Sequence, residues 1–455
     1  MESALSAVSP LDGRYASTTS ELSPYASEAG LMRARVRVEV EYLIALADLD
    51  ATPLSIDGED RTALRELYES FDTDSAALIK QIETEGYGEF PATNHDVKAV
   101  EYFIRESVPE YGPWIHFGLT SEDVNNLAHR LLVAGALSEV LHPDLTTVRD
   151  ALVEHAHEHG DLPMLARTHG QPATPTTFGK EMAVYAARLG RAVSALDAVE
   201  LSGKLAGASG TYAAHHVAYP DVDWESFAAS FVESLGLAHT PLATQVNPCD
   251  DLAALFDALQ RINDILLDLN RDIWLYVSDR YLGQKATASE TGSSTMPHKV
   301  NPIDFENSEG NLSKANADLS FLSGYITSSR LQRDLSDSTV KRNIGTAFAH
   351  CHIGYTKLNT GLEKIVPNEQ VMREELESTP EIIGEAVQTI LRREGHEDAY
   401  ELIKDLTRGQ RVTIEDFHEL FDELDVSEDV REELHALAPT AYTGQARDLA
   451  ASVEK

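Results

Sequence analysis

The sequence of 455 residues predicts an all-α fold with three helical regions and a central bundle of long helices. Ala, Leu, Glu and Asp outnumber the β-branched residues that favour strands. From Leu252 to Ile273, apolar residues recur every three or four positions, which is the spacing of one helix face. With 42% hydrophobic residues, a chain of this length can bury a large core.

Three long helices follow from the apolar spacing. The pattern from Leu252 to Ile273 corresponds to about six helical turns. Apolar positions from Met182 to Val199 predict a second helix, and Glu122–His159 predicts a third, in which Pro143 should cause a kink or a break. One small domain cannot cover apolar faces of this length, so we expect partner subunits to cover them.

Segments rich in Pro and Gly, where the helical periodicity fails, indicate the domain boundaries. Two of them, Tyr111–Pro113 and Val366–Pro367, divide the chain into three. We expect an amino-terminal helical domain over residues 1–112, a central long-helix bundle over 113–365 and a carboxy-terminal helical domain over 366–455.

The charge balance is strongly acidic, with a formal net charge of −38 at pH 7 spread over the whole chain. Self-repulsion of this size destabilises a compact fold, and salt relieves it by screening charges over roughly 8–10 Å near physiological strength. The composition therefore suggests a halophilic protein, with an ordinary acidic cytosolic enzyme as the alternative. Nucleic-acid and anionic-membrane partners are disfavoured, because both require clustered cations.

Cysteine usage and the amino terminus predict a cytoplasmic protein. Cys249 and Cys351 are too few for a disulfide framework and lack metal-ligand spacing, so we expect no metal. The first residues, MESALSAVSPLDGRY, have neither a basic start nor an apolar run. No segment reaches the ~18–20 apolar residues that a membrane-spanning helix needs.

The segment RTHGQPATP, residues 167–175, contains the first candidate catalytic side chain. His169 lies between Thr168 and Gly170, and the two prolines that follow cannot continue a helix, so we expect a rigid turn. An imidazole titrates near neutral pH and can give or take a proton during turnover. An isolated histidine is more often structural, so the neighbouring residues decide the interpretation.

The segment TGSSTMPHKVNP, residues 291–302, contains a second candidate site. A serine hydroxyl becomes a useful base when a cation such as Lys299 and backbone N–H groups stabilise its alkoxide in a closed pocket. The alternative is a polar surface loop that caps a helix beginning near Pro302–Asp304.

These motifs together resemble a known enzyme family. GSSTMPHKVNP resembles the signature loop of the fumarase/aspartase superfamily, and the following IDFENSEGN resembles the adenylosuccinate lyase family. THGQPATP matches the same family, as do TNHDVKAVEYF at 93–103, HFGLTSEDVNN at 116–126 and QRDLSDSTVKRN at 332–343. The likeness covers nearly the whole chain and is closest to the branch typified by enteric bacterial enzymes. His298 before Lys299 resembles this family, whereas argininosuccinate lyases have Gln there.

The resemblance implies a β-elimination that releases fumarate from adenylosuccinate, giving AMP, and from the succinylo-aminoimidazole-carboxamide ribotide. By the family match, Ser293 is the base that removes the carbon proton, with Ser294 as the alternative, and His169 is the acid that protonates the leaving nitrogen. Lys299 and Asn301 would stabilise the charge on a carboxylate, and no cofactor is implied.

The resemblance also implies the residues that hold these small-molecule nucleotide substrates. His95 resembles a second family histidine near the phosphate and His169, and its alternative role is structural, before the helix that starts at Asp96. Many relatives have Arg where Asn94 stands; Asn at this position fits the enteric-like branch and leaves one phosphate or carboxylate contact open. The implied binding residues are Arg14, Tyr15, Asn94, His95, Asp96, Thr120, Ser121, Gln245, Ser293, Lys299, Asn301, Asn307, Arg333, Ser338 and Arg342.

Two further expectations and two rivals complete the sequence-based interpretation. Thr120 and Ser121 could equally cap a helix, because Thr-Ser-Glu-Asp is a capping sequence. The family assembles its active sites from several chains, so we expect a homotetramer with shared active sites. The rival functions are another fumarate-releasing lyase, such as argininosuccinate lyase, and a non-catalytic structural homologue.

Overall fold

The computed structural model describes residues 5–285, 300–408 and 412–455. Over these residues the chain is mainly helical, and the strands are short and pair two by two. The predicted all-α class is therefore confirmed.

The α-helices in chain order are α1 Ala16–Thr19, α2 Ser23–Ala26, α3 Glu28–Ala47, α4 Gly58–Glu69, α5 Thr73–Thr84, α6 Asp96–Ser107, α7 Ser121–Ala136, α8 His142–Glu158, α9 Phe178–Asp197, α10 Ala213–Ala218, α11 Trp224–Ser234, α12 Asp250–Ser278, α13 Ile303–Ile326, α14 Ser336–Lys341, α15 Ile344–Lys364, α16 Glu369–Glu377, α17 Gly384–Arg393, α18 Ala399–Thr407, α19 Ile414–Glu423, α20 Glu428–His435 and α21 Ala446–Ala451. Shorter turns form 3-10 helices at Ser20–Leu22, Pro109–Trp114 and Pro380–Ile383.

The strands are β1 Gly86–Tyr87, β2 Phe90–Pro91, β3 Pro163–Thr168, β4 Gln171–Thr177, β5 Ser202–Gly203, β6 Ala238–His239, β7 Leu282–Gln284 and β8 Ile365–Pro367. Strand β5 pairs with β6 in parallel, and the pairs β1–β2, β3–β4 and β7–β8 are antiparallel.

The predicted long helices are present at the expected places. Helix α12 contains the whole apolar pattern, and its Leu252, Phe256 and Leu259 are fully buried. The third predicted helix is interrupted as Pro143 requires. Helix α7 ends at Ala136, a π-helix covers Leu137–Leu141, and α8 begins at His142. Pro143 thus lies two residues after this π-helical turn, and both a proline and a π-helical turn are causes of a kink in a continuous helix.

The chain divides into two compact units, each made of three segments. The first unit comprises Met1–Asp144, Val193–Asn263 and Asn311–Gly354. The second comprises Leu145–Ala192, Asp264–Gly310 and Tyr355–Lys455. The three-domain division along the chain stays a prediction.

The core of the first unit is formed by helices α3, α6, α7 and α11. Tyr42 of α3 packs edge-on against Phe231 of α11, with ring centroids 5.6 Å apart. Helix α3 is buried on several sides, and it carries Arg35 and Glu39 into this interior. Buried charges of this kind must be paired, because an unpaired ion in a core is costly. The partner of Arg35 is Asp96 and that of Glu39 is His116, and both are described with the candidate site below.

The core of the second unit joins one strand residue to the carboxy-terminal helices. Leu165 of β3 belongs to the same buried cluster as Val387 of α17, Phe417 and Phe421 of α19, and Leu434 of α20. The segment that the sequence predicts as a turn around His169 is therefore the tip of a hairpin whose base is anchored in this core.

Candidate active site

His95 lies at the start of α6, directly after a sharp turn. The turn is formed by Asn94, whose φ of 46° lies in the left-handed region. His95 caps the helix, because its Nδ1 accepts a hydrogen bond from the Lys98 N–H at 3.2 Å. With Nδ1 as acceptor, a neutral imidazole carries its proton on Nε2. The side chain is half exposed, so the capping role leaves its other edge able to contact a substrate.

Asp96 joins two arginines at the same helix end. Its Oδ2 accepts hydrogen bonds from Arg35 and Arg342, both at 2.8 Å. Arg35 is almost fully buried, and its Nε donates to Asn125 Oδ1 at 2.8 Å. Burial alone would raise the pKa of Asp96, but the charge and hydrogen bond of Arg35, helped by Arg342, outweigh it and hold the pKa at about 2. Asp96 is therefore ionised at neutral pH and orients Arg342.

The start of α7 forms the capping arrangement anticipated as one alternative for Thr120 and Ser121. The Thr120 N–H donates to Asp123 Oδ2 at 2.8 Å, and Ser121 is the first helical residue. The preceding loop is held from two sides. His116 Nδ1 lies 2.5 Å from Glu39 Oε1, and Gly118, with a φ of 69°, packs against the His215 ring so closely that a Cβ would clash.

Asp123 also ties the start of α7 to a second loop. Its Oδ1 lies 2.7 Å from Lys204 Nζ, with both side chains fully buried, and it accepts the Ala206 N–H at 3.0 Å. In the same loop, the Ala208 carbonyl accepts from Gln245 Nε2 at 2.9 Å. The fold thus places Gln245 beside the segment that α7 holds.

Arg333 connects this region to α14. Its Nη1 donates to Gln245 Oε1 at 3.2 Å, and its Nη2 lies 3.5 Å from Glu122 Oε2. Glu122 Oε1 accepts from Lys341 Nζ at 3.1 Å, and Lys341 ends α14. Ser338 lies within α14 and Arg342 directly follows it. The first unit therefore links Gln245 and Arg333 to α14, which contains Ser338 and is followed directly by Arg342.

Two cavities of about 250 and 300 Å³ share Arg342 in the first unit. His129 and Lys341 line the smaller one. Burial, with the nearby positive charge of Lys341 and of Arg35, holds the pKa of His129 well below its usual range, so this histidine is neutral. The larger cavity reaches Asp12.

The segment after Asp12 contains two of the predicted substrate contacts. Arg14 is exposed and Tyr15 is half-buried. Because Asp12 and Arg342 line one cavity, this amino-terminal segment lies in the same neighbourhood as the end of α14.

His169 lies in the second unit, at the tip of the hairpin formed by β3 and β4. Thr168 pairs with Gln171, so His169 and Gly170 form a two-residue loop with φ of 53° and 73°. Two successive positive φ values match the right-handed twist of the flanking strands. Arg167 anchors the strand end to Glu375 of α16 by an ion pair. The predicted rigid turn is thus a tight hairpin that presents an exposed His169.

The remaining predicted residues lie within residues 286–299, which are outside the described part of the chain, or shortly after them. Ser293, Ser294, His298 and Lys299 lie outside the described residues. Asn301 is half-buried just before α13, and Asn307 is half-buried within that helix, both in the second unit.

Sequence reasoning missed the buried charges that hold the predicted site residues in the first unit. Arg35, Glu122 and Lys341 are each almost fully buried and each contacts a predicted site residue or its partner. A signal for Arg35 was present, because it stands on a helix whose neighbours Leu31, Met32 and Val36 are apolar. A charged residue within such a stretch indicates a buried partner.

Within the described parts of the chain, no group of His, Cys, Asp or Glu side chains is arranged to hold a metal ion. Over the same residues, none of the helices combines the length and the apolar character that crossing a bilayer requires.

Family models and curated relatives identify the family of this chain. A family model described as Lyase matches residues 13–316, and one described as Adenylosuccinate lyase C-terminal matches residues 329–443. The chain is 44% identical over 454 residues to the adenylosuccinate lyase of Legionella pneumophila (strain Corby), covering 98% of each chain. It is 45% identical over 453 residues to the adenylosuccinate lyase of Escherichia coli (strain K12), again covering 98% of each.

Solved structures with lower identity share the fold. A fumarate lyase from Mesorhizobium sp. BNC1 is 20% identical with a TM-score of 0.75, covering 95% of this chain and 96% of that one. A 3-carboxy-cis,cis-muconate lactonizing enzyme from Pseudomonas putida is 24% identical with a TM-score of 0.74, covering 94% of this chain and 95% of that one. The all-α architecture is therefore of the fumarase/aspartase type.

Proposed function

Because this chain belongs to the adenylosuccinate lyase family, we propose that it is a carbon–nitrogen lyase that releases fumarate from adenylosuccinate to give AMP. The same site would act on the succinylo-aminoimidazole-carboxamide ribotide in purine biosynthesis. The observation that carries the proposal is the 44–45% identity to enzymes of this name along 98% of the chain. The chain of contacts among the predicted binding residues of the first unit supports it.

In the proposed reaction, a proton leaves the carbon beside one succinyl carboxylate, the C–N bond breaks and the leaving nitrogen takes up a proton. Ser293, or alternatively Ser294, is the base, and His169 is the acid. The positive φ of His169 supports this assignment, because a non-glycine residue held in the left-handed region is often found at functional sites. Lys299 and Asn301 stabilise the charge that develops on the carboxylate.

The substrate carries a phosphate and two carboxylates, whereas the chain carries a net charge of −38. We assign the phosphate and ribose to Arg14, Tyr15, Arg333, Ser338 and Arg342, since guanidinium groups bind phosphate with two hydrogen bonds. Thr120, Ser121 and Gln245 hold the succinyl group. The remaining proposed substrate contacts are Asn94, His95, Asp96 and Asn307.

We further propose a homotetramer in which several chains share each active site. Exposed apolar side chains on two long helices support this, namely Trp274 and Leu275 of α12 and Phe321 of α13, with exposures of 43%, 52% and 54%. His169, Ser293 and His95 would then meet only in the assembly. Dilution should lower specific activity together with oligomer size, measured by enzyme assay and light scattering, and full activity in a monomer would contradict it.

We also propose a cytoplasmic protein adapted to high salt, from a lineage close to the enteric branch of the family. The supporting observation is the charge of −38, whose repulsion salt would screen. Folding and full activity in dilute buffer would contradict the adaptation to salt.

The decisive experiment follows fumarate release from adenylosuccinate by absorbance, at low and at molar salt. Turnover at high salt establishes the lyase activity, and its loss in dilute buffer supports the adaptation to salt. An absence of turnover at both salt concentrations would contradict the proposal. Argininosuccinate would then be tested, and failure with it as well would indicate the non-catalytic structural homologue.

A further inference from the structure

Glu122 is a buried carboxylate next to the predicted site, and the proposed mechanism gives it no role. It is the second residue of α7, directly after Ser121, and its side chain is 2% exposed. Its two oxygens face different cations. Oε1 accepts from Lys341 Nζ at 3.1 Å, and Oε2 lies 3.5 Å from Arg333 Nη2. An ionised carboxylate at this depth requires such partners, so the three groups form one unit.

Each of the two cations is a predicted nucleotide contact or lies next to one. Arg333 is itself one of them, and its Nη1 donates to the predicted contact Gln245 at 3.2 Å. Lys341 ends α14 and immediately precedes Arg342. One carboxylate at the start of α7 thus fixes both the guanidinium of Arg333 and the end of the helix that carries Ser338.

The two cations depend on Glu122 to different degrees. Lys341 has a second acidic partner, because its Nζ also donates to Asp337 Oδ2 at 2.8 Å. Arg333 has no other carboxylate within ion-pairing distance in the described chain, and Gln245 supplies a neutral contact. A long arginine side chain loses much rotamer freedom when it is ordered, so a partner that holds it before the substrate arrives reduces the cost of binding.

We propose that Glu122 is a positioning residue that preorganises Arg333, and with it α14, for the phosphate-bearing part of the nucleotide. This inference rests on the proposed function. Arg333 would contact a group that does not change during the elimination, so its contact is as strong in the ground state as in the transition state. Loss of such a contact raises KM and leaves kcat nearly unchanged.

The test is the substitution Glu122→Gln, which keeps the side-chain shape and removes the charge. We expect KM for adenylosuccinate to rise about tenfold, kcat to stay within about twofold and the Kd of AMP, measured by calorimetry, to rise about tenfold. We expect the Glu122→Gln variant to fold, because the buried ammonium group of Lys341 keeps its ion pair with Asp337. Glu41→Gln is the matched control, since Glu41 is a largely buried glutamate of the same unit whose partners Arg65 and Tyr68 lie on α4, and both constants should stay within about twofold.

A second arm separates positioning from general stabilisation. If Glu122 acts through Arg333, then Glu122→Gln should cause no further rise of KM in an Arg333→Ala background, whereas a merely structural role would lower activity in both backgrounds. Glu122→Asp keeps the charge one methylene further from Arg333. If Glu122→Gln does not fold, this variant should still raise KM and the Kd of AMP, by a smaller factor.

Different results contradict the positioning role of Glu122 and the proposed lyase function. An unchanged KM and AMP affinity in the folded variant, or an equal rise in both backgrounds, would overturn the positioning role. A wild-type protein that binds AMP but releases no fumarate would contradict the proposed function. In that case the AMP titration of Glu122→Gln would still decide the role of the carboxylate.

Discussion

The two units hold their predicted functional residues by different means. In the first unit, paired charges orient the side chains, as in the contacts of Asp96 with Arg35 and Arg342 and of Glu122 with Arg333 and Lys341. In the second unit, His169 has an exposed side chain, and the backbone of a two-residue hairpin loop fixes its position.

This difference matches the proposed roles. Residues that bind an anionic nucleotide gain from fixed charges, because preorganised ion pairs need no rearrangement when the phosphate arrives. A proton donor needs access and a defined position, which a tight turn on a buried hairpin base supplies. Changes in the first unit should therefore affect stability or nucleotide affinity, and changes at the hairpin of the second unit should affect turnover.

The largest effect is expected for His169→Ala. We expect kcat to fall about 10²–10⁴-fold, because the general acid is lost, with almost no change in Tm since the side chain is exposed. Enzyme assay and thermal unfolding measure the two effects. His157→Ala removes another exposed histidine of the second unit and should leave turnover intact. A large decrease of Tm in His169→Ala would show that the His169 side chain stabilises the fold, contrary to the difference proposed between the two units.

Asp96→Asn should chiefly affect stability. It leaves Arg35, which is 4% exposed, without its carboxylate, and we expect a loss of about 3 kcal/mol in the free energy of unfolding by urea denaturation. Asp48→Asn is the matched control, because the pair of Asp48 with Arg61 is solvent-exposed and should contribute much less. Equal losses in the two variants would show that burial does not set the importance of these ion pairs.

A pH titration tests the loop before Thr120. Burial by itself lowers the pKa of His116, but the charge and hydrogen bond of Glu39, with Glu101 and Asp123, raise the pKa to about 9. A raised pKa contributes stability fully below about pH 6.5, and the contribution is lost as pH rises through 9. Wild-type protein should lose about 2–3 kcal/mol of unfolding free energy over this range.

The control for this titration is His116→Gln, which removes the titrating group. The difference in unfolding free energy between wild type and His116→Gln should shrink as pH rises from 6.5 to 9, measured by urea denaturation at each pH. A difference that stays constant would show that His116 does not carry its charge in the folded protein.

The smallest effect is expected for Gly170→Ala. Open space surrounds Gly170, so the cost of about 1 kcal/mol arises from its φ of 73° alone. A distorted turn should also lower kcat several-fold by displacing His169. Gly58→Ala is the control, because Gly58 has open space and an ordinary φ at the start of α4. Unfolding by urea and kcat are measured for both, and indistinguishable variants would show that the turn does not require a positive φ at residue 170.

Local patterns predicted much of the architecture and part of the site. The spacing in α12, the interruption at Pro143 and the capping sequence from Thr120 to Asp123 each depend on residues a few positions apart. The position of His169 in a tight turn was also predictable from its neighbours. The pairing of β3 with β4 was not, because the prolines after His169 predicted only that no helix continues there.

The sequence by itself determined the helical class, the family and the types of residue available for the chemistry. The tertiary structure decided which charges are buried and which partners they find. Glu122 and Lys341 are 219 positions apart, and Arg35 and Asp96 are 61 apart. The physical reason is that burial makes a charge depend on its partner, and no local pattern states which distant residue the fold will bring into contact.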